Sequence, residues 1–338
     1  MIDLDDSTAG TMRNCAYVSA DLTMVGDVPY WAVHAIDEDD GNRTSWVVHG
    51  HFQGDAFSIS YDVWVPDAIQ AIAGNANGHL WAITAGGALI TNMPMQDRPE
   101  WEAMAVHPSL HDGATWYTHE LVFECEGAAT PEVAVCLCWS ADELLIGTFS
   151  RRIYCWQGSA ASLEFCSRAP EFSGGVNDIL ATSAGAIALG YGGTLLARAR
   201  KGVWSAPQVP WSPEDAAFVN VVAGVVTHDG RMCAVVDGGW VVTGDTSAVT
   251  ITHRVAGKPL GISTFQDDIY VATMEGLYQL SGAGHATLMR RNVALGKLID
   301  AGCALVATDA APADPARAGL YIWLRTRTTD RWSNPTLG

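Results

Sequence analysis

Two short apolar runs separated by a turn recur along the chain. The five regular copies occupy residues 80–92, 144–156, 186–198, 232–244 and 269–281. A hairpin turn needs a residue with positive φ, which glycine reaches without steric cost. Glycine takes the eighth position in four copies, at Gly87, Gly193, Gly239 and Gly276. Arg151 takes this position in the remaining copy, so we expect a different turn geometry there.

Two further copies fit the pattern when insertions are allowed. In one copy the first apolar run is residues 30–36 and the second is residues 45–52. In the other copy the two runs are residues 304–309 and 319–323. Each unit has an apolar segment before the pair and another after it, which makes four short antiparallel strands in roughly 40–50 residues. That pattern is typical of a propeller blade. The sequence therefore predicts an all-β fold with seven four-stranded blades, and six is the alternative because the first unit is the least regular.

This pattern resembles the β-propeller superfamily across essentially the whole chain. The resemblance implies a single domain over residues 1–338, with loop insertions at about 37–44, 107–131 and 310–318. We expect residues 14–20 to help close the last blade, with residues 331–337 as the alternative. Propellers serve many functions, so the resemblance implies an architecture and no chemistry.

One segment is similar to the Asp-box of sialidase-type propellers. In Ser109–Trp116, the residues Ser109, Gly113, Thr115 and Trp116 match that motif, while Asp112 stands one position late. Such boxes close hairpins away from catalysis, and this chain has one copy. A sialidase reaction also needs three convergent arginines, a tyrosine and an acid/base carboxylate, and no spacing selects three arginines here.

The charge of the chain restricts its partners. Asp and Glu number 37 against 19 Lys and Arg, which gives a formal net charge of −18. Nucleic acids and anionic membranes need positive potential on the protein, so both are excluded as partners. The charge favours a basic protein.

The chain is predicted to be cytoplasmic. It has no run of about 20 apolar residues, which a membrane helix would need. The first residues, MIDLDDSTAG, are acidic and polar, whereas a signal peptide begins with a basic segment followed by an apolar run. Most of the eight cysteines lie in apolar stretches, which predicts buried, reduced thiols.

In a propeller, the turns between the second and third strands of each blade lie on one face, together with the connections between blades. All three insertions map to this face, where loop variation usually places function. We therefore predict a partner-binding site there. Its residues are Asp37, Glu38, Asp39, Asp40, Arg151, Arg152, Tyr191, Asp237, Trp240 and Glu275.

Some side chains leave alternatives open. The acidic run Asp37–Asp40 suits a solvated hairpin tip, a protein-docking loop or a calcium site, although it lacks the closing Glu of a helix–loop–helix calcium site. His49 and His51 share a strand face and could ligate a metal beside His34. His107, His111 and His119 form a second group. Packed or surface histidines are favoured over ligands, and we predict neither a metal site nor a cofactor.

The sequence favours a non-enzymatic, protein-binding propeller. One concrete version is a cytosolic bacterial immunity protein that neutralises a basic toxin domain. The alternative is a propeller-type hydrolase or lyase that acts on a sugar or lactone, or a carbohydrate-binding propeller. No nucleophile elbow, metalloprotease helix or phosphate-binding loop is present in the sequence.

Overall fold

The computed structural model describes residues 15–37, 43–53, 56–104, 114–166, 175–282, 284–291, 294–310, 322–326 and 332–333. The chain divides into two compact units. One comprises Met1–Glu120 and Ala301–Gly338, and the other comprises Leu121–Asp300. Much of the three predicted insertions, at 38–42, 107–113 and 311–318, lies outside the described residues.

The first unit begins with two antiparallel sheets. The first sheet has the order β1 (Cys15–Val25), β2 (Val28–Asp37), β3 (Arg43–Gln53) and β4 (Ala56–Val65). The second contains β5 (Ile69–Gly74), β6 (Leu80–Thr84), β7 (Ala88–Thr91), β8 (Glu102–Ala103) and β9 (Tyr117–Glu120), with β9 placed between β7 and β8. Apolar side chains from both sheets, including Val47 and Ile72, pack into one core.

The second unit starts with a six-stranded sheet. Its strands are β10 (Val122–Cys125), β11 (Ala128–Ala129), β12 (Ala134–Ser140), β13 (Glu143–Thr148), β14 (Arg152–Trp156) and β15 (Ala160–Cys166), in the order β11-β10-β15-β14-β13-β12. The β10–β15 pair is parallel. The next sheet is formed by β16 (Val176–Thr182), β17 (Gly185–Gly190), β18 (Leu195–Arg200) and β19 (Val203–Ser205).

A single turn of helix, α1 (Pro213–Ala216), follows, and it begins at Ser212, whose Oγ accepts the Asp215 backbone N–H. The third sheet contains β20 (Val221–Val226), β21 (Met232–Val236), β22 (Trp240–Gly244) and β23 (Val249–Arg254). The fourth contains β24 (Pro259–Phe265), β25 (Asp268–Thr273), β26 (Gly276–Leu280) and β27 (Ala286–Arg291). Strand β28 (Leu295–Asp300) packs beside β24 and is the last strand of this unit.

The chain then returns to the first unit with β29 (Ala304–Asp309), β30 (Ile322–Thr326) and β31 (Trp332–Ser333), which pair in sequence order. Among the described residues, six sheets each lie within one unit: β1–β4, β5–β9, β10–β15, β16–β19, β20–β23 and β24–β27. The predicted all-β class with antiparallel sheets is confirmed. The count of seven blades, rather than six, stays a prediction.

Two strand assignments made from the sequence are wrong. In the sequence, the apolar segment that follows the pair 80–92 is 101–106, which predicts the fourth strand there. Instead β9 pairs directly with β7, and the short β8 lies outside it. Residues 14–20 were expected to complete the last blade. Instead β1 pairs with β2 from Cys15–Asp37 to Val25–Val28, because a tight turn at Gly26 makes this local hairpin easy to form. The strand that pairs with β30 is β31.

A backbone hydrogen bond ties the turn between the second and third strands to the residue just before the first strand. The N–H of the turn residue donates to the carbonyl oxygen at 2.8–3.1 Å. The five donor–acceptor pairs are Ala85–Ala68, Phe149–Val133, Tyr191–Gly175, Asp237–Asn220 and Met274–Lys258. The register of each first strand also shifts by one residue near this point, as at a β-bulge. The same tie therefore fixes every one of these turns.

The turn at Arg151 has the geometry of the turns at Gly87 and Gly239, which corrects the sequence-based expectation of a different turn. Arg151 has a φ of +58°, close to the +64° of Gly193 and the +81° of Gly239. Its N–H donates to the Thr148 carbonyl at 3.2 Å, as that of Gly239 donates to Val236 at 3.1 Å. Arginine thus adopts the left-handed conformation here, which costs a non-glycine residue about 1–2 kcal/mol.

Apolar side chains fill the spaces between successive sheets of the second unit. Cys155 and Ile153 pack on Ala188, Leu189 packs on Ala234, and further along Val235 packs with Val271. The strands at the centre of these sheets are therefore apolar on both faces. Strand β21, for example, is buried over its whole length.

We expect Gly239→Ala to destabilise the protein much more than Gly238→Ala. Both residues have positive φ, +81° and +84°, so each alanine pays a conformational cost of about 1–2 kcal/mol. A Cβ at Gly239 would lie 2.1 Å from the Val255 carbonyl oxygen, whereas one at Gly238 would meet the Trp240 ring at 3.6 Å. The loss for Gly239→Ala should reach about 2–5 kcal/mol.

Chemical denaturation of both variants and the wild type would measure this difference. Equal losses of unfolding free energy would contradict the described turn, because only the contact with Val255 distinguishes the two positions.

Candidate functional site

Four turns of the second unit lie side by side and form what we call the turn face. They are residues 148–152, 190–194, 236–240 and 273–276, between the second and third strands of the four successive sheets. The Gly193 N–H donates to the Val219 carbonyl at 2.8 Å, and the Val255 N–H donates to the Gly239 carbonyl at 2.8 Å. The first bond joins the turn 190–194 to the connection before β20, and the second joins the turn 236–240 to the connection after β23. Together with the ties to the first strands, these bonds give the face a continuous backbone frame.

Side-chain hydrogen bonds extend this frame from one sheet to the next. The Asn177 amide donates to the Asn220 side-chain oxygen at 2.6 Å and to the Val221 carbonyl at 2.8 Å. The Asn220 amide donates in turn to the Asp237 carboxylate at 3.1 Å. Asp237, one of the predicted site residues, is thereby held at the entrance to its sheet.

The turn face presents one exposed large apolar side chain from each turn. These are Phe149, Tyr191, Trp240 and Met274. Phe218, just after α1, is 83% exposed, the highest value among the large apolar side chains of the described residues. Soluble proteins rarely place such side chains together without a use, and clusters of this kind commonly mark interaction sites.

A groove of about 250 Å³ lies beside the turn 236–240. Its walls come from the connection before β20 and from strands β22 and β23. They include Trp211, Phe218, Asp237, Trp240 and Ile251. The groove is mostly apolar with one carboxylate, which is the composition of a site that takes up an apolar side chain and fixes its orientation with one polar group.

Carboxylates surround the groove and the neighbouring turn. Glu214 and Asp215 on α1 are exposed, and Glu275 is exposed in the turn 273–276. Arg254 lies over the Trp240 ring, 4.7 Å from its centroid, and supplies a positive charge at one edge. The groove thus joins an aromatic surface to negative charge.

The structure separates the predicted site residues into groups. Tyr191, Asp237, Trp240 and Glu275 lie on the turn face with their side chains at least partly accessible. Asp37 is the last residue of β2, in the other unit. The rest of the acidic loop, Glu38, Asp39 and Asp40, lies outside the described residues.

Arg151 and Arg152, the two arginines predicted as partner contacts, both interact with other residues of the protein. Arg151 is only 6% exposed, and a Cβ at Gly192 would lie 2.2 Å from its Nη1, so its side chain reaches the next turn. Arg152 forms an ion pair with Glu132. Arg151 is therefore buried against the neighbouring turn, and Arg152 is paired with the connection that precedes β12; that either arginine contacts a partner stays a prediction.

Phe149, Phe218 and Met274 are not among the contacts predicted from the sequence, although Phe149 and Met274 lie in predicted turns. A large apolar residue inside a tight turn is a usable signal, because such positions are normally polar or glycine. Phe218 follows a short acidic helix, and only its exposure in the structure identifies it.

A tyrosine of β14 lies beside a carboxylate of the connection before β12, and this pair does not fit the hydrolase alternative. The Tyr154 hydroxyl donates to Glu132 at 3.0 Å, and the Tyr154 side chain is fully buried. Burial, together with the charge of Glu132, raises the pKa of Tyr154 to about 12. A substrate cannot reach this hydroxyl, so the pair joins β14 to the connection before β12 rather than providing a nucleophile.

The cluster Glu143–Cys155–Glu164 is the one group of three potential metal ligands that converges among the described residues. Its carboxylates already have cationic partners. Arg198 contacts Glu164 at 2.5 Å and Glu143 at 2.7 Å, and Lys201 contacts Glu143 at 3.0 Å. Burial and the two carboxylates raise the pKa of the Cys155 thiol to about 11, so the thiolate that a metal prefers is disfavoured. This cluster is an ion-pair network that joins two sheets.

The histidines named from the sequence fall in different places. His34 Nε2 contacts the Ile69 carbonyl at 2.8 Å, so it is not beside the other two. His49 and His51 do meet, with Nε2 atoms 2.6 Å apart. His119 contacts the Glu100 carbonyl at 3.0 Å, while His107 and His111 lie outside the described residues.

The Asp-box-like segment also falls partly outside the described residues, which include none of Ser109, Asp112 and Gly113. Trp116 is fully buried and belongs to the core of the first unit. Seven of the eight cysteines, all except Cys15, are free thiols, and four of them, Cys136, Cys138, Cys155 and Cys233, are buried. Within the described ranges, no helix has the length and apolarity needed to cross a bilayer.

Comparison with solved structures identifies the fold. The WD40 β-propeller domain of Doa1 superposes with a TM-score of 0.56 at 10% identity, over 89% of this chain and 93% of that chain. BamB from Moraxella catarrhalis gives a TM-score of 0.52 at 11% identity, over 95% of this chain and 90% of that chain. YCF48 bound to D1 peptide gives 0.52 at 10% identity, over 87% and 91% respectively.

These likenesses confirm the predicted resemblance: the chain has the β-propeller fold. At such identities they show the fold alone. No known protein-family model matches the sequence, and no curated protein sequence matches it.

We expect Arg198→Ala to be strongly destabilising and Lys201→Ala to be nearly neutral. The Arg198 and Glu164 side chains are each 4% exposed, and removing one partner of a buried pair leaves an uncompensated charge that costs about 3–5 kcal/mol. The Lys201 side chain is 54% exposed, so its ion pair contributes less than about 1 kcal/mol.

Thermal unfolding of the two variants would check this. A small loss for Arg198→Ala, similar to that of Lys201→Ala, would show that the network does not join the two sheets.

Proposed function

We propose that this chain is a non-enzymatic, protein-binding propeller that holds its partner on the turn face. The observation that carries the proposal is the row of exposed apolar side chains, one from each of four neighbouring turns. A partner would bury Phe149, Tyr191, Trp240 and Met274, and aromatic residues of this kind dominate the energetics of protein interfaces.

The proposed partner is basic. The net charge of −18 opposes anionic partners. On the turn face itself, Asp237 lines the groove and Glu275 is exposed. We also keep Asp37, Glu38, Asp39 and Asp40 as proposed contacts, because their charge is the densest in the sequence. Arg151 and Arg152 also remain proposed contacts, with Arg152 the more accessible of the two.

A more specific version is that the chain is a cytosolic bacterial immunity protein against a basic toxin domain. Its support is the acidic composition and an apolar surface suited to a protein partner. The solved YCF48 structure, similar in fold, is bound to a peptide. For the architecture we propose seven blades over six, because the strand pattern starts seven times along the sequence.

A carbohydrate-binding propeller is the second candidate. Trp211 and Trp240 both line the groove beside Asp237, and aromatic faces with a neighbouring carboxylate also suit sugar rings. A glycan panel tested on the purified protein would distinguish the two. Glycan binding that is lost in Trp240→Ala, with no protein partner, would favour this candidate.

We expect Trp240→Ala to weaken partner binding at least about 30-fold, equivalent to a loss of about 2 kcal/mol. Trp64→Ala is the matched control, because Trp64 is 40% exposed and Trp240 is 39% exposed, yet Trp64 lies on β4 in the other unit. A partner captured from native lysate by the wild type, then purified, would be titrated against both variants.

Equal weakening by the two tryptophan variants would contradict the turn face as the binding surface. Retention of full affinity in Trp240→Ala would do the same.

We further expect a variant carrying Asp237→Asn and Glu275→Gln to bind its partner more slowly, with a larger effect at low salt, because these carboxylates attract a basic partner over a distance. Asp142 and Asp267 provide the charge-matched control. Both are exposed, in turns that join the first and second strands at the opposite ends of their sheets. Surface plasmon resonance at two salt concentrations would measure the rates.

Glu143, beside Asp142, is unsuitable as a control because it pairs with Arg198 and Lys201. If neutralising Asp142 and Asp267 slows association as much as neutralising Asp237 and Glu275, net charge alone governs the rate and the local assignment fails.

A further inference from the structure

Three side chains of the first sheet form a line of close polar contacts. The His49 Nδ1 atom lies 2.8 Å from both carboxylate oxygens of Asp62. The other ring nitrogen of His49, Nε2, lies 2.6 Å from Nε2 of His51. All three residues belong to the same unit, on strands β3 and β4.

The strand geometry explains this arrangement. His49 and His51 are two residues apart on β3, so they share one face of the sheet. In β4 the register shifts between the pairs Val47–Val63 and Val48–Tyr61, so Asp62 is the extra residue of a bulge. A bulge redirects a side chain and is common at functional sites.

Asp62 fixes the state of His49. Its side chain is 1% exposed, and a buried carboxylate needs donors. The Nδ1–H of His49 is one such donor, and in the neutral ring this places the lone pair on Nε2, the atom that contacts His51. At 2.6 Å the two Nε2 atoms are within hydrogen-bond distance, which requires that one of them donates a proton to the other. A carboxylate that orients a histidine through one nitrogen, while the other is presented for coordination, is the arrangement by which proteins prepare a metal ligand.

We propose that His49 and His51 bind a divalent first-row transition-metal ion through their Nε2 atoms, with Asp62 as the residue that positions His49. The metal ion takes the place of the proton between the two nitrogens, and that proton is released to water. Imidazole nitrogen suits Cu²⁺, Ni²⁺ and Zn²⁺, with Cu²⁺ bound more tightly than Zn²⁺. Mg²⁺ and Ca²⁺ prefer oxygen ligands and are excluded.

The required adjustment is small. Zinc–nitrogen distances of about 2.0–2.1 Å place two ligands of a tetrahedral site about 3.3 Å apart. The nitrogens must therefore separate by about 0.7 Å from their 2.6 Å contact. His51 is exposed and can turn about its side-chain bonds, while His49 is 7% exposed and packs on the Tyr30 ring at 5.3 Å. Water completes the coordination on the exposed side.

The test uses the untagged full chain, freed of metal with EDTA and titrated with ZnCl₂ in a calorimeter. We expect His51→Ala to weaken Zn²⁺ binding at least tenfold, because one of two protein ligands is lost. His228→Ala is the matched control, since His228 is an exposed histidine of the other unit, and it should bind Zn²⁺ as the wild type does. Asp62→Asn should weaken binding about 10- to 100-fold, as removal of an orienting partner does.

Electron paramagnetic resonance of the Cu²⁺ complex provides an independent measurement, with splitting from two nitrogens in the wild type and from one in His51→Ala. Absence of Zn²⁺ binding to the wild type, or equal affinity in His51→Ala, would overturn the proposal. So would MgCl₂ binding that competes with Zn²⁺. His51 is exposed, so its variant tests the site even where Asp62→Asn fails to fold. The site lies outside the turn face, so its outcome is independent of the proposed protein partner.

Discussion

The packing of apolar strand faces between one sheet and the next sustains the unit formed by Leu121–Asp300. An isolated sheet of four short strands has two apolar faces and cannot cover both. Strands such as β21, buried along its length, are stable only because a neighbouring sheet lies on each side. The same requirement explains Arg198, whose charge is tolerated between two sheets because Glu164 and Glu143 accompany it. The turn face depends on this packing for its order.

The parts of the fold that could be predicted are local in sequence. The second and third strands of each sheet follow each other directly through a tight turn, so apolar runs and a glycine suffice to find them. The fourth strand of the second sheet is not predicted from the sequence because β9 is short, is only partly buried and lies inside the segment 107–131 that the sequence pattern assigns to an insertion. Arg151 was misjudged because a left-handed arginine has no signature of its own in the sequence, whereas glycine does.

The position of the candidate site could be predicted from the sequence, but the side chains that form it could be predicted only in part. Turns could be assigned to one face from the strand order, and Tyr191, Asp237, Trp240 and Glu275 do lie there. The sequence could not show that Arg151 is buried, because its burial depends on the neighbouring turn. The contact between His49 and Asp62 depends on a bulge in β4, and a one-residue irregularity of this kind is invisible in a pattern of alternating residues.

The backbone ties at the turns have a consequence for how such a surface can change. In each tie the donor is the backbone N–H of the turn residue, and the side chain of that residue takes no part in the bond. The five donors are accordingly unlike one another: Ala85, Phe149, Tyr191, Asp237 and Met274. Any amino acid except proline, which lacks the N–H, can donate the backbone hydrogen bond at these positions. The side chains on this surface can thereby be exchanged without breaking the backbone ties that hold the turns.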